Sequence, residues 1–376
     1  PLDVRYESFD DQEAVLLRCP LGVSPEPLVL VREIGPLLAC FTGQESVGEI
    51  VNKYSQYGVQ VQLVSELVQL LDQYLFLQSP RYHSADRQFR TTYRELAQRE
   101  AALAAGSYAG EASALKQEIG QYLALGDGLK QSALERLVCL VSPHIDYRRG
   151  HACYAKAYHY LRFDDADVYV VIGTAHQYSE YLFHLTHKDF VLPMGMLPCE
   201  RGFVERLSGL YGFERSFGDE VLHKQEHSLE LQLPFLYHLK GAAKIVPILV
   251  GGFHDYLSGE KQPQEYDEYE SFVAALTECV REYERNGVRV CFIAGVDMAH
   301  VGGAFGDIGK LTPQYMDGIR ARDEIYLRTI VEQDKDGMLN HIAEDRDARR
   351  ICGFPTMYTL LDLSLIHISE PTRQVL

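Results

Sequence analysis

Three apolar runs in this chain each end on a histidine. Leu137–Pro143 leads to His144, Val168–Ala175 to His176, and Val290–Ala299 to His300, with Asp297 three residues before it. Imidazole nitrogens and carboxylate oxygens are lone-pair donors, and several of them converging on one point hold a metal ion. Imidazole suits iron, copper, zinc or nickel. The runs are short and rich in β-branched residues, the pattern of strands buried in a parallel sheet. Ligands of open α/β sheets gather at the carboxyl ends of the strands. Strands distant in sequence are therefore expected to bring His144, His176 and His300 to one rim. Asp297 is either a further ligand or an acceptor that orients one of the histidines. If the strand exit turns helically, Asp297 and His300, three apart, share a face.

Glu226 and His227 sit together before a helical stretch. They either cap that helix or serve as acid–base groups beside the metal. Cys352 lies in Ile351-Cys352-Gly353-Phe354, where the glycine permits a close turn; by sequence alone a buried, inert thiol is the default. Ligand histidines must be neutral, so metal affinity is expected to weaken below about pH 6. No G-x-x-x-x-G-K-[ST] and no G-x-S-x-G occurs, which argues against a P-loop nucleotide site and a nucleophile-elbow hydrolase.

The elements that must carry these groups follow from periodicity. Residues 1–80 read as a small separate unit. Ser46 caps a helix that stops at Gly58, Val59–Leu75 repeats apolar residues at helical spacing, and Phe76–Gln78 starts a wing strand. Helix, turn, helix and short strand is a winged-helix-like pattern. With eleven acids to four bases through residue 80, this unit is expected to dock a protein or peptide, not DNA. Residues 81–127 read as a helical linker of solvated helices. From 128 to 362 strands alternate with helices, giving an α/β fold with a mixed sheet covered on both faces. Leu363–Arg373 resembles a translated sequencing-library adaptor, so 363–376 is set apart as an artefact. The natural chain is expected to run past Asp362, and the start on Pro1 without methionine suggests a fragment.

The chain has 376 residues, is 46% hydrophobic and carries a net charge of −17. That length suggests about two domains, and that charge excludes a nucleic-acid partner, because phosphate recognition needs basic patches. No run approaches the roughly 18 apolar residues of a membrane span, and no leader is visible, so a cytoplasmic location is expected. The eight cysteines are scattered without a C-x-x-C, in keeping with reduced, buried thiols.

The segments SPHIDYRRG, GTAH, LTHKDFVLPMG, EHSLELQLPFL, VPILVG, DMAHVGGAFGD and ICGFP occur in the order seen in the Memo family. The first eighty residues are similar to the extra domain of its bacterial branch, the AmmeMemoRadiSam system protein B. The resemblance covers roughly residues 1–362. It implies a class III extradiol dioxygenase-like fold, with metal ligands at His144, His176 and Cys352 and further site residues at Asp297 and His300. It implies non-haem iron(II), and association with an AMMECR-type and a radical-SAM protein; the donor set itself leaves iron(II) or copper as the expected ion. This chain departs from the family's usual H-A-G-Y-x-Y: Asp146, Arg148 and Arg149 add charge beside His144. The arginines either receive an anionic small-molecule substrate or lie solvated on the surface. The dioxygenases' two histidines and one glutamate are not plainly reproduced, and a thiolate takes the carboxylate's part. Two functions remain open. One is a mononuclear non-haem site for oxygen or redox chemistry, with His300 as acid–base group or alternative ligand held by Asp297. The other is a non-catalytic metal-binding adaptor.

Overall fold

Val15 and Leu17 stand two apart on one strand, so both turn inward and seed the core of the first unit. The computed structural model describes residues 2–9, 12–129, 136–258 and 267–367. The chain divides into two units, Pro1–Glu95 and Leu96–Leu376.

In the first unit, β1 (Asp3–Phe9), β2 (Gln12–Arg18) and β3 (Leu28–Val31) form an antiparallel sheet in that order. The helices α1 (Gly35–Leu38), α2 (Val47–Lys53), α3 (Val61–Gln73) and α4 (Pro80–Glu95) follow. Ile50 of α2 and Val64, Leu67 and Leu71 of α3 close the core over Val15, Leu17 and Leu28. Ser46 caps α2 as expected: its hydroxyl accepts from Glu49 N, and the Glu49 carboxylate accepts from Ser46 N at 2.7 Å. The expected wing strand is absent. Leu75 adopts a left-handed turn, φ 61, which breaks the extended run, and Phe76 buries its ring in the core instead.

Residues 81–127 are not all helix. After α4 comes a two-residue strand, β4 (Gln98–Arg99), then an irregular stretch holding the buried Tyr108, then α5 (Ala112–Ala124). The arginine-rich composition predicts solvated helices, yet Arg99 is 1% exposed.

The second unit is built on β5 (Cys139–Ser142), β6 (Val168–Thr174), β7 (Phe183–Leu185), β10 (Lys244–Val250) and β11 (Val290–Gly295). Between β7 and β10 come β8 (Asp189–Leu192) and β9 (Gly195–Leu197), a hairpin paired with β4. The main sheet runs β5-β11-β6-β10-β7, with all pairs parallel except β10–β7. The fold is thus α/β with a mixed sheet flanked by helices. Every residue of β6 is buried, as befits a central strand.

Further helices are α6 (Tyr147–Leu161), α7 (Arg201–Tyr211), α8 (Phe213–Phe217), α9 (His227–Glu230), α10 (Leu233–Lys240), α11 (His254–Leu257), α12 (Asp267–Arg285), α13 (Pro313–Val331), α14 (Lys335–Ala343) and α15 (Phe354–His367). One face of the sheet packs on Phe203 and Leu207 of α7, Phe272 and Leu276 of α12, and Met357 and Leu361 of α15. The segment set apart from 363 begins inside α15, where Leu363 joins this core; residues beyond His367 lie outside the described residues. Among the described residues no helix is long and apolar enough to cross a membrane.

The helix α9 approaches the sheet closely. A Cβ at Gly295, the last residue of β11, would meet the Ser228 carbonyl oxygen at 2.4 Å and Gln232 Nε2 at 2.8 Å. A residue without a side chain is therefore required at this strand end.

Candidate metal centre

Parallel pairing puts the carboxyl ends of β5, β11 and β6 side by side, with Ser142 opposite Gly295 and Ala294 opposite Ile172. His144, Asp297 and His176 each lie just past one of these ends. The His144 ring crosses the end of β11 and meets the His176 ring with centroids 5.1 Å apart. His227, first residue of α9, completes the group: it stacks on His176 at 4.4 Å and lies edge-on to His144 at 5.2 Å.

Each ring is anchored at Nδ1 by an oxygen. His144 Nδ1 donates to the Gly295 carbonyl at 2.9 Å. His176 Nδ1 donates to Glu226 Oε1 at 2.9 Å, and His227 Nδ1 lies 3.1 Å from the same oxygen. Anchoring Nδ1 fixes the ring and leaves Nε2 as the lone-pair donor, the arrangement typical of metal-binding imidazoles. The three imidazoles each offer a nitrogen within 4.8 Å of the other two. Cys352 Sγ lies 3.2 Å from His144 Nε2. Its loop is held down by Thr174 Oγ1, which donates to the Cys352 carbonyl at 3.1 Å. Gly353 permits that approach, since a Cβ there would meet Val296 Cβ at 2.7 Å and Asp297 O at 2.9 Å. This donor set, three imidazoles with a thiol against them, fits a transition-metal ion.

The electrostatics differ across the site. Burial pushes His144 down to about 4, against the pull of Asp297, so its imidazole is neutral. Burial also works to lower His176, but the Glu226 carboxylate and Cys352 outweigh it and raise His176 to about 10. Burial would raise Glu226; the imidazoles of His176 and His227 instead hold its carboxyl well below the usual range. His144 is 1% exposed, whereas the side chains of His176 and His227 are 29% and 38% exposed. The group is thus closed on the β5 side and open to solvent on the other.

A family model described as Memo-like protein matches residues 99–371. The chain belongs to the Memo-like family. A MEMO1 family protein of Aquifex aeolicus is 24% identical over 351 residues, covering 93% of this chain and 86% of the relative. One from Sulfurisphaera tokodaii is 26% identical over 273 residues, covering 70% and 86%. One from Archaeoglobus fulgidus is 29% identical over 166 residues, covering 44% and 56%.

Within this Memo-like chain the other expected residues divide. Asp297 turns to His144: its Oδ1 accepts from His144 N at 2.8 Å, and Oδ2 is 3.9 Å from His144 Nε2. Asp297 therefore does not hold His300. The exit of β11 makes no helical turn; it runs on beside 349–350, and His300 N donates to Arg349 O at 2.7 Å. His300 Nδ1 donates to the Arg350 carbonyl at 3.0 Å, and its ring packs edge-on against Phe305. Asp146 caps α6, accepting from Arg149 N, and pairs with the Arg149 side chain at 2.5 Å; Arg148 and Arg149 are exposed. Glu226 takes the capping role that the sequence allowed and adds one that it did not show. It caps α9 by accepting from Ser228 N at 2.9 Å while it anchors two histidines.

Sequence reasoning treated His227 as an acid–base group and missed it as a member of the imidazole cluster. Its signal was adjacency to Glu226 at a helix start. It also missed Arg99, Tyr108 and Glu230, a buried network beneath α9.

Proposed function

We propose that this Memo-like chain holds one non-haem metal ion, iron or copper, and uses it in oxygen or redox chemistry on a small substrate. His144 and His176 would be imidazole ligands and Cys352 the thiolate, with His227 close enough to take a ligand position as well. The observation that carries the reading is the convergence of three imidazoles, each with Nδ1 against an oxygen and each offering one nitrogen within 4.8 Å of the others. When bound, such an ion supplies a redox couple or Lewis acidity at open coordination positions.

The chain's own groups have separate tasks in this scheme. Glu226 orients His176 and His227 and accepts their charge. Asp297 fixes the backbone at His144. His227 and His300 are the candidate acid–base groups: His227 lies beside His176 on the open side, and His300 stands further along the β11 exit. Arg148 and Arg149 offer positive charge to an anionic substrate at the start of α6, although Arg149 is partly engaged by Asp146.

The test is elemental analysis of untagged protein expressed with iron or copper, alongside His144→Ala, followed by anaerobic loading with iron(II) and oxygen uptake with catechols and amino acids. Metal retained by wild type and lost in His144→Ala, with uptake abolished in His176→Ala, is the expected result. Equal metal content in the wild type and His144→Ala ends the proposal.

A second reading rests on the first unit, whose acids outnumber its bases eleven to four through residue 80. That unit would dock a basic partner, and the metal site would serve an assembly with AMMECR-type and radical-SAM proteins in the cytoplasm. Metal retention without oxygen uptake, together with co-purification of either partner, would favour it.

A further inference from the structure

Arg99 contacts none of the three histidines, yet it holds the segment that carries one of them. Its side chain is 1% exposed, and its fork spans the loop and helix from 223 to 230. Nε donates to the His223 carbonyl at 2.9 Å and Nη2 to the Glu226 carbonyl at 3.0 Å. Nη1 donates to Glu230 and to the Glu100 carbonyl. The carboxylate of Glu230 is then filled from the other side: it accepts from Ala102 N at 3.0 Å, Leu103 N at 2.9 Å and the Tyr108 hydroxyl. The guanidinium lies over the Phe190 ring at 5.3 Å.

A buried ion pair is costly to desolvate and adds little net stability over an apolar pair. What it supplies here is geometry. A planar guanidinium with several occupied donors fixes the relative position of its acceptors as a lysine cannot. Two of those acceptors are the backbone carbonyls that bracket the turn into α9. One belongs to Glu226 itself, whose side chain anchors His176 and His227.

We propose that Arg99 is a positioning residue of the metal centre: it sets where Glu226 presents its carboxylate, and through it the aim of His176 and His227. The proposal rests on the reading of these imidazoles as metal ligands.

The experiment compares full-length wild type with Arg99→Lys and with Arg99→Met/Glu230→Gln. The double variant removes both buried charges, so no unpaired charge is left to unfold it. Arg99→Lys keeps the cation but loses the fork. Each is checked for folding by thermal melt. Imidazole ¹⁵N resonances are then recorded on metal-free protein, and affinity is measured with iron(II) alone under anaerobic conditions.

The expected result is a folded double variant in which the His176 and His227 resonances move while that of His144, anchored on Gly295, stays. Iron(II) affinity should fall by about ten- to a hundredfold, as when a partner that orients a ligand is lost, and Arg99→Lys should show the same changes in smaller measure. Folded variants with wild-type resonances and affinity overturn the proposal. If the wild type itself takes up no iron(II), the metal reading fails, and the metal-free resonances still decide the role of Arg99.

Discussion

Two clusters of histidine lie in the second unit, and they are built in opposite ways. At the carboxyl ends of β5 and β6, His144, His176 and His227 each have Nδ1 tied to an oxygen, and two of the rings reach solvent. Around β7, His184 and His223 are fully buried. Neither ring nitrogen of His184 has a hydrogen-bond partner among the described residues, and His223 uses only Nε2, which donates to the His184 carbonyl at 3.1 Å. Burial drives His184 to about 4 and His223 to about 3. On the proposed reading, gathering imidazoles is not enough to make a metal site. One nitrogen must be held and the other left pointing into reachable space.

The sharpest way to break this contrast is to remove a ring from each cluster. His144→Ala or His176→Ala should lower iron or copper affinity beyond about a hundredfold, more than the loss of an orienting partner. His184→Phe should leave it unchanged. Titration of metal-free protein with each ion checks both. Glu226→Gln removes the anchor and not the donors, so it should cost about ten- to a hundredfold in affinity. Cys352→Ser should follow, weakening copper(I) more than iron(II), because thiolate is the softer ligand.

Proton competition separates the clusters in a further way. His176 is raised to about 10, so an ion must displace its proton across the neutral range. Affinity should climb with pH up to about 10, with proton release measurable by calorimetry in buffers of different ionisation enthalpy. In the metal-free protein the sign is the reverse. A raised imidazole stabilises the fold fully below its unfolded value of about 6.5 and loses that contribution as pH rises through 10. His144, His184 and His223 are depressed, so the unfolded chain takes up their protons first. Their contribution is complete above about 6.5 and is lost as pH falls toward 4 and 3, at roughly 1.4 kcal/mol per pKa unit. Chemical denaturation at pH 8, 6 and 4.5 should show that decline, and His184→Phe should flatten it. The smallest expected effect is that of His300→Ala, which should spare metal affinity while altering any turnover.

Much of this arrangement was legible beforehand because it depends on local pattern. The buried strands announced themselves as β-branched runs, and parallel pairing placed His144 and His176 at one rim. Ser46 with Glu49 spelled out a cap. His300 lies outside the imidazole cluster because its position depends on where residues 349–350 run, a contact that spacing within one segment cannot encode. The contact between Glu226 and His176, which raises that imidazole, is made only by the fold. Arg99 was hidden by its company: in an arginine-rich stretch, one guanidinium that is buried looks like several that are not. The apolar neighbours of Phe76 predict a strand, but a left-handed Leu75 redirects the chain.

Position 295 shows how tightly the two layers are geared. Its bare α-carbon sets the clearance beneath α9, and its carbonyl takes the proton of His144 Nδ1. One methyl group added there would lift a helix and tilt a ring at the same time. Gly295→Ala should therefore behave as a lesion in two places, displacing His227 from above and His144 from below.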